Sequence, residues 1–113
     1  MGEKDNVVSK TYDLLLYLVP QLAKYPRAQK FLLADRIQTK MMDILEQLIG
    51  AYYSRGAKKK GLLYEVNIQL EQMRYLIRLS KDLRCIDLRR YEFIQSKINE
   101  IGQQIGAWIK SLG

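Results

Sequence analysis

The chain has 113 residues, 48% apolar and 27% charged, with 19 Lys and Arg against 12 Asp and Glu for a formal charge of +7. That length holds one domain, residues 1–113, around one core; its longest apolar run, residues 14–19, stops at Pro20, far short of the roughly 20 residues a spanning helix needs. With no histidine and a single cysteine, Cys85, the chain lacks the common general base and metal ligand and can close no internal disulfide, which fits a reducing compartment.

Helical periodicity dominates from residue 6 onward. Over about 6–25, Val8, Thr11, Leu15, Leu18, Leu22 and Tyr25 recur at steps of three and four, and Pro20 should kink this first helix by removing a backbone donor. Tyr25 stands before Pro26 and is pushed out of helical geometry, so Pro26 can open a second helix over about 27–54. Its seam is Ala34, Ile37, Met41, Ile44, Leu48 and Ala51. Gly56 and Gly61 bracket Ala-Lys-Lys-Lys and mark a basic interhelical loop. A third helix over about 59–84 has the seam Leu62, Val66, Met73, Leu76 and Leu83, with Gln69 and Ser80 as polar interruptions. Leu63, Leu70 and Ile77 form a second stripe beside it, which widens its apolar arc. Asp87 is a candidate N-cap for a fourth helix over about 88–112, seamed by Tyr91, Ile94, Ile98, Ile101, Ile105, Trp108 and Leu112. Gly102 and Gly106, four apart on it, suggest close helix approach despite the cost of glycine in a helix. No stretch alternates as a half-buried strand would. The fold class is all-α, and short connections make it an antiparallel up-down-up-down four-helix bundle.

Catalytic chemistry finds little footing. Cys85 has no imidazole to activate it, and the carboxylates are scattered singly, without a Glu-x-x-His pair for a bundle-core metal. Residues 56–61 resemble a phosphate loop only superficially, because Leu62 and Leu63 follow the second glycine where Lys and Ser or Thr are needed. We expect no enzyme, no cofactor and no metal. The first five residues show no basic head before an apolar run, so no secretory signal is read there and the expected location is cytoplasmic.

The positive charge is uneven: residues 24–60 carry +6 and residues 74–90 carry +4, while the rest is neutral or acidic. Arg74, Arg78, Lys81 and Arg84 fall within about 120° of arc on the third helix at about 100° per residue, and Arg89 and Arg90 continue the stripe past the turn. Arg36 and Lys40 form a shorter stripe on the second helix, and Lys58, Lys59 and Lys60 crowd the loop. Such a surface suits phosphate contacts, salt-sensitive and indifferent to base sequence; the plain alternative is a solvated face. The tyrosines lie mostly on apolar stripes and read as core more than as stacking platforms. Tyr52, Tyr53 and Tyr64 are also candidates for burial between subunits. A membrane partner is not expected, because the bundle already needs the apolar faces.

Residues 74–83, Arg-Tyr-Leu-Ile-Arg-Leu-Ser-Lys-Asp-Leu, together with Tyr91-Glu-Phe-Ile and Ile105-Gly-Ala-Trp-Ile-Lys, resemble the accessory variability determinant family of diversity-generating retroelements. Tyr17-Leu-Val-Pro and the Pro26-Arg27 junction before Phe31-Leu-Leu are similar to it as well. The likeness runs from about Tyr12 to Leu112, and related four-helix bundles encoded in ribosomal-RNA intervening sequences share the architecture. It implies a barrel-shaped homopentamer that binds a reverse transcriptase and nucleic acid, RNA or DNA, to support mutagenic copying of template RNA into cDNA. Carried over by position, Arg74, Arg78, Lys81 and Arg84 become the first candidates for the basic surface, with Arg36 and Lys40 behind them. A helical scaffold that only self-associates is the alternative.

Overall fold

The structure, a computed structural model, describes residues 3–112, with side chains from Val7 onward. Four long helices account for it: α1 (Glu3–Ala23), α2 (Asp35–Tyr53), α3 (Gly56–Asp82) and α4 (Leu88–Ser111). No strand occurs among the described residues. Each helix packs on its sequence neighbours, and α4 closes back on α1, so α1 and α3 occupy diagonal corners. Contacts across the seams fix the antiparallel order. Lys10 meets Glu100, while Tyr17, further along α1, meets Phe93, nearer the start of α4, with ring centres 4.8 Å apart and planes at 53°. At about 1.5 Å per residue the 27 residues of α3 reach about 40 Å, most of the 44 Å length of the molecule.

The core follows the sequence pattern closely on two helices. Ala34, Ile37, Met41, Ile44, Leu48 and Ala51 are all buried along α2, and Ile94, Ile98, Ile101, Ile105 and Trp108 along α4. Tyr91 is half-buried and Leu112 exposed at the two ends of that seam. On α1 the seam shifts by one residue at two places, with Val7 and Leu14 inside and Val8 and Leu15 half-buried. Thr11 enters the core because its hydroxyl donates to the Val7 carbonyl at 2.8 Å, which satisfies the buried oxygen. On α3 the axis of burial lies between the two stripes: Leu63, Val66, Leu70, Met73, Ile77 and Ser80 are inside, while Leu62 and Leu76 are half-buried and Leu83 is exposed. The core of α3 thus takes Leu63, Leu70 and Ile77 from the second stripe and Val66 and Met73 from the first. Ser80 disposes of its hydroxyl as Thr11 does, on the Leu76 carbonyl at 2.9 Å.

The connections differ from the expected ones. α1 continues through Pro20, which lies on the exposed face, and ends at Ala23, two residues earlier than expected. Tyr25 then turns into the core. Pro26 is not the first helical residue: at φ −55° and ψ 147° it caps a single turn, Arg27–Gln29. That turn passes into a π-helical turn, Lys30–Ala34, before α2 proper begins. The join between α2 and α3 is only Ser54 and Arg55, with Ser54 Oγ donating to the Gly50 carbonyl at 2.7 Å. Gly56, at φ +59°, takes the left-handed turn there, and the helix starts at once. Lys58, Lys59 and Lys60 therefore belong to the first turns of α3, not to a loop. Gly61 sits in an exposed helical position with nothing near its α-carbon side.

α3 ends in a Schellman motif. Cys85 N–H reaches the Ser80 carbonyl at 2.8 Å and Arg84 N–H the Lys81 carbonyl at 2.9 Å, while Arg84 occupies the left-handed region at φ 62°. Asp87 caps α4 as expected, its Oδ1 accepting from the Arg90 N–H at 2.9 Å.

Candidate functional site

Beneath Arg74, the α3–α4 seam is built from polar side chains that lock the two helices together. Arg74 Nε donates to Asn99 Oδ1 at 3.0 Å, its Nη1 to Glu71 Oε1 at 2.9 Å, and Gln95 Nε2 donates to the Arg74 carbonyl at 2.9 Å. Gly102 makes room for this guanidinium: a Cβ there would lie 2.9 Å from Arg74 Nη2, and the next atom, Leu70 Cδ1, is 3.9 Å away. The expected tight helix approach at Gly102 and Gly106 is absent. The close neighbour of Gly102 is a side chain, and Gly106 faces open space.

Outside Arg74 lies a shallow groove lined by Glu71, Tyr75, Arg78, Tyr91, Gln95 and Asn99. Arg78 stands at its rim with a side chain 63% exposed; its carboxylate neighbour, Asp82, is 3.9 Å away. An exposed pair at that distance contributes little, so Arg78 stays available to a phosphate. Lys81 lies 4.7 Å from the centre of the Tyr91 ring and 3.6 Å from Asp82. The like-charge conflict between Arg74 and Arg78 is resolved because each turns to a different acid. Arg90 is held twice by Asp87, through its backbone N–H and through Nη1 on Oδ2 at 2.7 Å. Arg84 and Arg89 are exposed and form no ion pair among the described residues.

The other candidates lie elsewhere. Arg36 and Lys40 line a second shallow groove with Phe31, Asp35, Thr39 and Asp43, and Lys40 Nζ bridges to Gln72 Oε1 on α3 at 2.7 Å. Lys58, Lys59 and Lys60 sit at the opposite end of the bundle from Arg84, Arg89 and Arg90, with Lys59 5.9 Å from the Trp108 ring centre. From Lys59 to Arg84 the rise along α3 is about 37 Å. The structure thus sorts the eleven cations into a flank on α3–α4, a strip on α2 and a cluster at each end. Four of them, Arg74, Arg78, Lys81 and Arg90, have a carboxylate partner.

Sequence reasoning misplaced the tyrosines. Of the eight in the chain, Tyr25 is buried, Tyr17, Tyr52 and Tyr91 are half-buried, and Tyr12, Tyr53, Tyr64 and Tyr75 are exposed. Tyr75 and Tyr91 border the Arg78 groove, so cations and aromatic rings lie side by side there. Burial pushes the Cys85 thiol above its ordinary pKa. Among the described residues no three His, Cys, Asp or Glu side chains gather as a metal would need, and no helix is long and apolar enough to cross a membrane.

Fold and surface together define a class: a four-helix bundle whose polar groups are arranged along grooves and at its ends. A family model described as bAvd-like matches residues 7–112, and the chain belongs to that family, an accessory and non-catalytic kind of protein. No curated protein and no solved structure matches the chain.

Proposed function

We propose that the chain is a cytoplasmic accessory protein of a diversity-generating retroelement, binding the reverse transcriptase and its template RNA or cDNA. The family match across residues 7–112 carries this reading, and the charge pattern supports it. Arg78, with Tyr75 and Tyr91 beside it, supplies cation and ring together, and Arg84 and Arg89 extend the same flank toward the end of the bundle. Contacts of this kind hold a backbone by displacing counterions and read no sequence.

The proposed assembly is a homopentameric barrel. In its favour, α1 exposes Tyr12, Leu16 and Val19 and α3 exposes Tyr64, Ile68 and Leu79, and these helices stand at diagonal corners. Two different apolar stripes on opposite sides suit head-to-tail contacts, which close into a ring when the rotation permits.

RNA retention on a filter at low salt tests the binding half. The Arg74→Glu, Arg78→Glu double variant is expected to lose at least tenfold in affinity while keeping its helical content. Equal retention by variant and wild type would remove the nucleic-acid role. A scaffold that only self-associates would then be favoured, in keeping with the exposed stripes and the four carboxylate-paired cations.

A further inference from the structure

The α1–α4 seam carries a cavity that the proposed role leaves unused. On α1, Lys10, Asp13, Leu14 and Tyr17 share a face, and on α4 Phe93, Lys97 and Glu100 answer them at steps of four and three. Together they line a cavity of about 200 Å³. The Lys10–Glu100 bridge, 2.8 Å long, closes one end, and the Tyr17–Phe93 ring pair closes the other. Leu14, 3% exposed, is the floor. Between the two ends the antiparallel register sets Asp13 opposite Lys97, yet they do not close on each other. Asp13 is exposed and has no ion pair among the described residues. Lys97 leans over the Phe93 ring, 5.5 Å from its centre, and toward Glu100 at 3.5 Å. That contact is long for a charge-assisted bond, normally about 2.7–2.9 Å, and Lys10 already holds Glu100. The Lys97 ammonium therefore keeps donors to spare.

We infer that this cavity binds a free α-amino acid with an aromatic side chain. The ligand's ammonium meets Asp13, its carboxylate meets Lys97, and its ring lies on Leu14 against the Tyr17–Phe93 pair. The inference goes beyond the accessory role and does not depend on it. Size and charge select the ligand. At about 30 Å³ per water the space holds roughly seven waters, less than the roughly 300 Å³ at which pockets for drug-sized molecules begin. An anion alone would face the carboxylates of Asp13 and Glu100, and a cation alone would face Lys97 and Lys10. A neutral apolar molecule would cover Asp13 and Lys97 without pairing either, at a desolvation cost. A zwitterion pairs both, and a tilted aromatic contact suits its ring. Because the two charges stay partly open to water, each pair adds little, and the affinity belongs in the millimolar range.

The test is a saturation-transfer NMR titration of the full chain with L-phenylalanine, phenylpropionate, which lacks the ammonium, and phenylethylamine, which lacks the carboxylate. Phenylalanine should bind saturably, and each analogue about threefold more weakly. Asp13→Asn should bring phenylalanine down to the level of phenylpropionate, and Lys97→Gln to that of phenylethylamine, with helical content unchanged. Absence of saturation, or binding that neither variant weakens, overturns the inference. So does an analogue that binds as tightly as phenylalanine, since the paired charges would then play no part in recognition. Binding seen only after Leu16→Glu has broken the assembly would give the cavity to a second copy and overturn it too. None of these results touches RNA retention or polymerase binding, so the accessory reading stands or falls separately.

Discussion

Gly102→Ala sets two effects of similar size against each other. Position 102 is inside α4, where alanine gains about 1 kcal/mol over glycine in helix propensity. The new methyl would stand 2.9 Å from Arg74 Nη2, against a comfortable separation of about 3.5–4.0 Å, so the guanidinium must retreat by about 0.6–1.1 Å. That retreat loosens its bonds to Asn99 and Glu71, at about 0.5–1.5 kcal/mol for a typical hydrogen bond. Water can replace much of this, because the Arg74 side chain is 30% exposed. The net change should lie between zero and about 1 kcal/mol of stabilisation, or up to about 4 °C in Tm for a domain of this size. Thermal melts followed by circular dichroism measure it. Arg74→Ala should remove the conflict, so that Gly102→Ala made in that background returns the full propensity gain. Destabilisation by more than about 1 kcal/mol in both backgrounds would mean that Gly102 serves backbone packing, refuting the role given to it here.

Other outcomes follow from the same geometry. Arg84→Gly places glycine at the left-handed position that ends α3 and should raise stability by about 0.5–1 kcal/mol in a denaturant titration. Glu100 is held below the usual carboxylate range, first by its hydrogen bond from Lys10 and then by the charges of Lys10 and Lys97. A depressed carboxylate stabilises above its unfolded pKa and loses that contribution as pH falls through its folded one. Wild type should therefore melt above Glu100→Gln at neutral pH, with the gap closing under acid. If the gap persists below the carboxylate range, the Lys10–Glu100 bridge is not its source. Leu16→Glu and Ile68→Glu, on opposite apolar stripes, should each break the proposed ring to smaller species in light scattering, since either side of a head-to-tail contact suffices to disrupt it.

The α2 seam came out as the sequence pattern has it, although Met42, Leu45, Ile49 and Tyr52 run beside it at the same spacing and lie exposed or half-buried. α3 was ambiguous: Leu62 and Leu63, or Leu76 and Ile77, differ by about 100° on the helix, and which of them faces inward depends on where α2 and α4 sit. The cations were legible as a list but not as a surface. Gly56 and Gly61 look alike in the sequence, yet Gly56 turns the chain and Gly61 rides in a helix, so the three lysines moved from loop to helix. The π turn left no signature in the periodicity. Nothing before Ala34 distinguishes an extra residue from an ordinary turn. Among the tyrosines the seam positions Tyr25 and Tyr91 do pack on the core, whereas Tyr12, Tyr53, Tyr64 and Tyr75 lie off the seams and are exposed.

The salt dependence of RNA binding bears most directly on the claim that this bundle holds a polyanion through its exposed cations. Each phosphate contact on a single strand contributes about 0.7 to the slope of log K against log salt, so one contact is worth about 2.6-fold between 50 and 200 mM. Wild type should bind a single-stranded RNA with a steep negative slope, and Arg78→Gln should flatten it by about 0.7. A slope near zero in the wild type, or one that Arg78→Gln, Arg84→Gln and Arg89→Gln together leave unchanged, would contradict the account.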